Sequence, residues 1–304
     1  MCLGYKTQMV QKIKKIVFPV AGLATRFLPA TKTVPKELFP LVDKPLLQYA
    51  VEEALEAGIS EFIFVSSHRK PSIEKHFARM PELEHYLEDI GKGAFAQLLR
   101  DCSLPEKAVT IVYQDDPKGL GHAVFVAREA VGNEPFAVLL PDDAILTRKG
   151  PGVLKQMADF LSAEPGSTLI AAQDVAADQV SLYGIVDGKP EKGKHLRVKT
   201  LVEKPAQEKA PSRTAIIGRY VLQPEIFPIL DDMCNHREGK KEIQLTDAIA
   251  TLARAKPVYG FIFEGRRFDC GQCAGFVEAN VAYALERPEL AQNLKEKISD
   301  LLKQ

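Results

Sequence analysis

The stretch KIVFPVAGLATRFLPATKTVPKEL, residues 15–38, joins a short apolar run to a loop of small and cationic residues. The run at 15–20 is rich in β-branched and aromatic side chains, which predicts a buried strand. The small residues that follow let backbone N–H groups approach a phosphate, and cations further on can neutralise its charge. These cations are Arg26, Lys32 and Lys36. From composition alone, a solvated loop and an anion site both remain open.

Two common phosphate-binding motifs are excluded. A Walker A loop requires Gly-Lys before Ser or Thr, and no Gly-Lys pair in the chain precedes either residue. A dinucleotide fingerprint requires three spaced glycines, and the candidate at 119–124 has Val where the third Gly belongs. A nicotinamide-dependent dehydrogenase is therefore a remote alternative.

Strand-like and helix-like runs alternate through the first half of the chain. Further strands are predicted at 61–67, 108–114 and 136–143, and helices at 45–58 and 122–131. This alternation predicts βαβ units and a mostly parallel sheet. The loops after such strands meet at one carboxyl edge of the sheet, where ligands bind.

The second half has shorter links between its strands. Strands are predicted at 168–175, 183–189, 195–205, 215–223 and 258–271. We interpret them as a mixed sheet that continues the first, with a hairpin turn at 187–194. A helix is predicted at 245–255, and a helical arm, broken at Pro288, follows from about 271 to 304. The spacing of the arm fits packing on its own core or on a partner subunit.

Composition and charge exclude several classes of protein. Of 304 residues, 46% are hydrophobic, and 40 Lys and Arg balance 40 Asp and Glu, so the formal net charge is zero. A disordered chain, a nucleic-acid coat or a polybasic membrane anchor is not expected from such a balance. No apolar run approaches the length of a membrane helix or a signal peptide. We therefore expect no nucleic-acid or membrane partner.

The cysteines indicate a reducing compartment. Their count is five, which is odd, and no export signal accompanies them, so we expect a cytoplasmic protein. Cys270 and Cys273 have the CxxC spacing, but no second pair stands at zinc-finger spacing. We interpret both as buried or helix-start thiols.

Motifs along nearly the whole chain resemble those of one family. After the segment 21–59 follow, in order, QDDPKGLGHAV (114–124), LLPDDAIL (139–146), YGIV (183–186), VEKP (202–205), EIQLTDAI (242–249) and GRRFDCG (265–271). Together they resemble the bacterial sugar-nucleotide pyrophosphorylases, most nearly those that use UTP and glucose 1-phosphate, from about residue 14 to about 290. One departure is Ala24, where the common pattern has a second Gly; because Ala tolerates positive φ poorly, we expect this turn to differ slightly.

The resemblance implies a fold and a reaction. The fold would be a Rossmann-like nucleotidyltransferase domain over 9–304, an α/β architecture with a mixed, mostly parallel sheet flanked by helices. A nucleotide-binding half would span about 9–145, a sugar-phosphate-binding half about 146–270, and C-terminal helices 271–304. The enzyme would transfer UMP from UTP to glucose 1-phosphate by Mg²⁺-assisted in-line attack on the α-phosphorus, releasing pyrophosphate. The family also implies a homodimer or homotetramer.

The resemblance also assigns the charged residues. Asp142 and Asp269 would bind Mg²⁺, as carboxylates at strand ends suit a hard cation. A structural role as a helix N-cap is the alternative for Asp142. For Asp143, capping is the better interpretation. Arg26 and Lys36 would hold the β and γ phosphates and the pyrophosphate.

The remaining site residues fall into two groups. The nucleotide-binding residues implied are Ala21, Gly22, Glu37, Gln114 and Gly119. Of these, Gln114 and Gly119 would meet uracil, because a glutamine amide carries a donor and an acceptor side by side. The sugar-phosphate residues implied are Gly184, Glu203 and Lys204. Lys204 would meet the phosphate and Glu203 the glucose hydroxyls; without the motif, the two would be an edge-strand ion pair.

Two alternative functions remain at this stage. A non-catalytic sensing module on the same fold is disfavoured because the phosphate cations and both metal carboxylates are present. A sister enzyme using dTTP or CTP is the alternative within the enzymes. His122, close to the nucleotide, is interpreted as structural, because a phosphate nucleophile needs no general base.

Overall fold

The computed structural model describes residues 12–237, 239 and 241–303. The predicted limits of the domain, at 9 and 304, lie outside these residues. The strands are β1 (Lys15–Pro19), β2 (Pro40–Leu41), β3 (Lys44–Pro45), β4 (Glu61–Ser66), β5 (Val109–Tyr113), β6 (Phe136–Leu139), β7 (Asp143–Leu146), β8 (Thr168–Asp174), β9 (Gly184–Pro190), β10 (Leu196–Glu203), β11 (Thr214–Leu222), β12 (Val258–Ile262) and β13 (Arg266–Asp269).

Helices follow the predicted alternation in the first half and form the C-terminal arm. They are α1 (Leu46–Glu56), α2 (Pro71–Phe77), α3 (Pro81–Asp89), α4 (Gly93–Cys102), α5 (Leu120–Val126), α6 (Arg128–Val131), α7 (Val153–Ala163), α8 (Ile226–Asn235), α9 (Leu245–Leu252), α10 (Cys273–Leu285) and α11 (Pro288–Leu301). The helix predicted at 122–131 is divided into α5 and α6 at Ala127, whose N–H bonds back to Val124 at 3.2 Å in a tighter turn. In the part of the chain described, no helix is both long and apolar enough to cross a membrane.

One central sheet runs through both halves of the chain. Its strand order is β5-β4-β1-β6-β11-β8-β12-β10-β9. All of these strands except β10 and β11 run in the same direction, which confirms the mixed, mostly parallel sheet. The carboxyl ends of β1, β4, β5 and β6 therefore meet at one edge, where parallel sheets bind ligands.

The prediction of a single strand over 258–271 is wrong. The chain forms β12, which belongs to the sheet, and then β13, which leaves it and pairs antiparallel with β7. The bend lies at Gly265, whose φ of 148° disfavours other residues and whose missing Cβ would lie 2.7 Å from Ile145. In the resulting pair, Asp269 stands opposite Asp143.

The sheet separates two apolar cores because successive side chains of a strand point to opposite faces. In β1, Ile16 and Phe18 are fully buried with residues of α1 and α7. Val17, between them, is buried on the other face with residues of α5 and α9. This three-layer arrangement matches the near-continuous apolar runs of the sequence.

The C-terminal arm is helical and broken at Pro288, as predicted. Helix α10 packs Ala279 and Tyr283 into a third apolar cluster with Phe268 of β13, so this helix packs on the protein's own core. Helix α11 buries none of its residues. For this helix, packing on the core and packing on a partner subunit both remain open.

A buried ion pair joins α1 to the centre of the sheet. Arg219 of β11 is 2% exposed, and its guanidinium contacts both carboxylate oxygens of Glu53 at 2.8 and 2.6 Å. The third nitrogen, Nη1, donates to the carbonyl oxygen of Asp143 at 2.8 Å. Removing one partner of such a pair leaves an uncompensated charge in the interior.

We expect Glu53→Gln to lower the free energy of unfolding by about 3 kcal/mol, because Arg219 then lies buried without a counter-charge. The control is Glu52→Gln, one residue earlier, where the ion pair with Lys44 is only half-buried and contributes less than about 1 kcal/mol. Urea unfolding of both variants checks the difference. Equal losses of stability would show that the Arg219 pair contributes no more than a surface pair.

Candidate active site

Two adjoining cavities open at the carboxyl edge of the sheet, and their walls contain all of the predicted site residues. The first, of about 490 Å³, is lined among others by Ala21, Gly22, Lys36, Glu37, Gln114, Gly119 and Asp142. The second, of about 320 Å³, is lined among others by Arg26, Asp142, Gly184, Glu203, Lys204 and Asp269. Asp142 lies on both walls, so the two cavities meet there. A further cavity of about 500 Å³, on the side of Glu53 and Arg219, contains none of the predicted residues.

The loop after β1 turns sharply at Ala24, and a difference from the turn of the family stays a prediction. Ala24 has φ 50° and ψ 44°, a left-handed conformation that costs an L-residue free energy. The Thr31 hydroxyl donates to the Ala24 carbonyl oxygen at 3.0 Å and helps to hold this turn. Arg26 lies two residues after Ala24, and it lines the second cavity rather than the first.

Lys36 pairs with Asp142 where the cavities meet. Burial by itself lowers the pKa of Lys36, but the nearby carboxylates, Asp142 first, outweigh it and raise the pKa above its usual value. Burial likewise opposes ionisation of Asp142, and Lys36 outweighs it, so the pKa of Asp142 is lowered. Both groups therefore remain charged at neutral pH.

Glu37 is a buried residue in the wall of the first cavity. It is 2% exposed, and its carboxylate accepts a hydrogen bond from Lys70 Nζ at 2.9 Å. The same ammonium donates to the Val20 carbonyl oxygen at 2.7 Å, at the end of the first strand. Burial raises the pKa of Glu37 and lowers the pKa of Lys70. The Glu37 carboxylate is thus engaged by Lys70, which the sequence analysis did not single out.

Gln114 is one of the residues that line the first cavity. It directly follows β5 and is 5% exposed. Its backbone N–H donates a hydrogen bond to the Ser66 carbonyl oxygen at 2.8 Å. Gly119 lies beside it with φ 103°, and a Cβ there would lie 2.7 Å from the Ile243 carbonyl oxygen. Only glycine fits this close approach.

The second cavity is built on the β9–β10 hairpin. Gly184 pairs across the hairpin with Glu203, whose Oε2 accepts a 2.6 Å hydrogen bond from the Thr246 hydroxyl. A Cβ on Gly184 would lie 3.1 Å from both of these oxygens, so glycine leaves room for the bond. Lys204 follows in a left-handed conformation, φ 43°, and its Nζ lies 3.7 Å from Glu203 Oε1.

The two predicted metal ligands face each other across Gly271. A Cβ on Gly271 would lie 3.0 Å from Asp269 Oδ1 and 3.1 Å from Asp142 Oδ2, so the glycine keeps the space between them free. Among the described residues, no group of three or more His, Cys, Asp or Glu side chains could hold a metal ion. Mg²⁺ is commonly bound by one or two carboxylates together with substrate phosphates, so these two residues fit it.

Asp143 does not cap a helix, and that prediction is wrong. It begins β7, and its carboxylate accepts hydrogen bonds from Gly218 N–H at 3.0 Å and Arg267 Nε at 2.5 Å. Burial raises the pKa of Asp143 despite the neighbouring Arg267. It is a buried support beside the candidate metal ligand.

Arg267 and Tyr183 support Asp269. The Arg267 guanidinium lies 4.6 Å from the centre of the Tyr183 ring, and the Tyr183 hydroxyl donates to Asp269 Oδ2 at 3.2 Å. Gln272 Nε2 donates to the same oxygen at 2.9 Å.

Several supporting residues were missed at the level of sequence. They are Lys70, Tyr183, Thr246 and Arg267. All except Lys70 lie in the quoted motifs, which was the available signal, but their partners are distant in the chain. The CxxC interpretation is confirmed: Cys270 is buried, Cys273 begins α10, and the four described cysteines are free thiols.

Comparison with known proteins gives the same family over nearly the whole chain. The family model described as nucleotidyl transferase matches residues 16–286. A UTP–glucose-1-phosphate uridylyltransferase of Staphylococcus epidermidis is 45% identical over 295 residues, which cover 96% of this chain and 99% of the relative.

Solved structures agree with this assignment. A UTP-bound UDP-glucose pyrophosphorylase from Acinetobacter baumannii is 40% identical, with a TM-score of 0.86 over 95% of this chain and 99% of that one. A UDP-glucose pyrophosphorylase complexed with UDP-glucose is 42% identical, with a TM-score of 0.79 over 90% of this chain and 100% of that one. The chain belongs to the nucleotidyl transferase family, and within it to the UTP–glucose-1-phosphate uridylyltransferases.

Proposed function

We propose that this protein transfers the uridylyl group of UTP to glucose 1-phosphate, giving UDP-glucose and pyrophosphate. The observation that carries the proposal is the meeting of two cavities at Asp142, one lined by the predicted nucleotide residues and the other by the predicted sugar-phosphate residues. Such an arrangement brings two phosphorylated substrates together at one carboxylate.

In this reaction a phosphate oxygen of the sugar forms a bond to the α-phosphorus, and the bond from the α-phosphorus to the pyrophosphate oxygen breaks. The protein has to align the two groups and to neutralise their negative charge. Lys204 would hold the attacking phosphate beside Glu203, which accepts hydrogen bonds from the sugar hydroxyls. Arg26 and Lys36 would hold the phosphates that leave.

Asp142 and Asp269 would bind Mg²⁺ in the space that Gly271 leaves open. When bound there, the ion would supply positive charge against the phosphate oxygens. Asp269 is held for this role by Tyr183 and Gln272, and Asp142 by its ion pair with Lys36.

Three further points belong to the same proposal. The protein acts in the cytoplasm, which its free thiols support. Its one domain comprises the nucleotide-binding and sugar-phosphate-binding halves, which the distribution of residues between the two cavities supports. It works as a homodimer or homotetramer, for which the family resemblance is the support.

The test is pyrophosphate release by the purified protein with Mg²⁺, over common nucleoside triphosphates and several sugar 1-phosphates. The proposal expects the highest kcat/KM with UTP and glucose 1-phosphate. A higher kcat/KM with dTTP or CTP would show that the enzyme uses that nucleotide instead of UTP. If no pair of substrates gave turnover, a non-catalytic sensing module would be the remaining interpretation.

We expect Asp142→Asn and Asp269→Asn each to lower kcat at least about 100-fold, because each removes a charge from the ion's site and keeps the side-chain shape. The control is Asp232→Asn on the exposed face of α8, which leaves turnover near the wild-type value. Rates over a range of Mg²⁺ concentrations, with melting temperatures, check this. Normal activity at low Mg²⁺ would remove that residue from the metal site.

We expect Lys204→Ala to lower kcat about 100-fold, because its charge acts on the reacting phosphate. Glu203→Gln should mainly raise KM for glucose 1-phosphate, because it acts through the sugar. Lys199→Ala, an exposed lysine on β10 itself, is the control and leaves both parameters near wild type. If the Lys204 and Glu203 variants change only the KM for UTP, the two subsites have been assigned to the wrong cavities.

We expect Gln114→Ala to narrow the preference for UTP over CTP by about tenfold to a hundredfold. Uracil presents an N3–H donor where cytosine has a lone pair, and an unsatisfied buried pair costs about 1–3 kcal/mol. The measurement is kcat/KM for both nucleotides, with the exposed Gln97→Ala as control. An unchanged ratio would move base recognition to the backbone at Ala21 and Gly22.

A further inference from the structure

Two groups contact the nitrogen end of the Gln114 amide. Its Nε2 lies 3.4 Å from the Gly119 carbonyl oxygen and 2.7 Å from His122 Nδ1. A carbonyl oxygen carries no hydrogen, so only the NH₂ end of the amide fits against Gly119. The shorter of the two contacts is the one to His122.

The other end of the amide is left for a ligand. Among the described residues, no group donates a hydrogen bond to Gln114 Oε1, and this oxygen is not one of the two unpartnered side-chain atoms that are fully enclosed, Ser66 Oγ and Thr168 Oγ1. Gln114 lines the first cavity, and this is the side on which a ligand can reach the amide.

His122 lies behind Gln114 and lines neither of the two cavities. To accept from Gln114 Nε2, its Nδ1 must be unprotonated, with the ring hydrogen on Nε2. Burial and the nearby Lys118 and Arg237 lower the pKa of His122, and Asp116 opposes them. The imidazole is therefore uncharged at neutral pH, and with its hydrogen on Nε2 it accepts a hydrogen bond from Gln114 Nε2.

The backbone around His122 is fixed. Gly121 N–H donates to the Ile243 carbonyl oxygen at 2.8 Å, and Ile243 N–H donates to the Lys118 carbonyl oxygen at 2.8 Å. A Cβ on Gly121 would lie 2.8 Å from the same Ile243 oxygen, so this contact is close. The start of α5, which carries His122, is thus tied to the segment before α9.

We propose that His122 is a positioning residue for base specificity, holding the Gln114 amide with its oxygen toward the nucleotide. This inference rests on the proposed function. An oxygen there accepts the N3–H of uracil, whereas it opposes the N3 lone pair of cytosine. A rotated amide would suit cytosine, but it would set its oxygen against the Gly119 carbonyl oxygen and would require His122 to move its ring hydrogen to Nδ1. Thymine has the same N3–H as uracil, so His122 distinguishes UTP from CTP and not from dTTP.

The test compares His122→Leu with His122→Asn, two side chains of nearly equal shape. Leu offers no acceptor, so the amide can rotate, and we expect the ratio of kcat/KM for UTP over CTP to fall about three- to tenfold. Asn offers its own oxygen near the position of Nδ1 and should restore the ratio. The ratio of UTP over dTTP should not change in either variant.

The outcomes separate positioning from mere structural support. A structural role would lower the rates with UTP, dTTP and CTP alike, and an unchanged UTP-over-CTP ratio in the Leu variant would overturn the inference. So would equal losses in the Leu and Asn variants. In a double variant that also carries Gln114→Ala, His122→Leu should not lower the UTP-over-CTP ratio further. A further decrease would show that His122 acts independently of Gln114.

The same ratio can be measured without turnover. Calorimetric Kd values for UTP and CTP, in the absence of glucose 1-phosphate, should differ less in His122→Leu than in the wild type, by the same three- to tenfold factor. Wild-type protein that binds UTP but releases no pyrophosphate would refute the proposed function and leave this inference testable by binding. Turnover with an unaltered binding ratio would refute only the inference.

Discussion

The buried carboxylate of Asp143 is the constraint on which the site depends. Burying such a group costs free energy unless its oxygens are hydrogen bonded. Gly218 N–H of β11 and the Arg267 guanidinium of β13 supply these bonds, and Arg219 binds the Asp143 carbonyl oxygen. One residue thereby joins the central sheet to the β7–β13 pair. The adjacent Asp142 takes its place between the two cavities as a consequence.

The two ends of the site share one segment, residues 242–246. Ile243 forms backbone hydrogen bonds with Lys118, just before α5, and with Gly121 in the first turn of α5, beside the predicted base site. Three residues later, Thr246 donates to Glu203 at the predicted sugar site. One short segment therefore contacts both the predicted base subsite and the predicted sugar subsite. Such support is what a site for two aligned substrates requires.

The sequence predicted most of the fold because buried strands of a parallel sheet appear as continuous apolar runs. It placed the candidate site residues because these follow strand ends or occur in recognisable motifs. Their supporting partners were not predicted. The partner of Glu37 is Lys70 and that of Glu203 is Thr246, and nothing in the local pattern of either residue indicates the other. The role of Asp143 was misjudged for the same reason.

The sequence by itself determined the α/β class, the mixed and mostly parallel sheet, the family and the candidate residues, since these depend on local periodicity and on motifs. Only the tertiary structure decided that β13 leaves the sheet at Gly265 and pairs with β7. That pairing sets Asp269 and Asp142 on either side of Gly271. It also brought His122 Nδ1 to 2.7 Å from Gln114 Nε2. Contacts between distant segments depend on strand register and on the space that neighbouring backbone leaves, and neither is encoded in a local pattern.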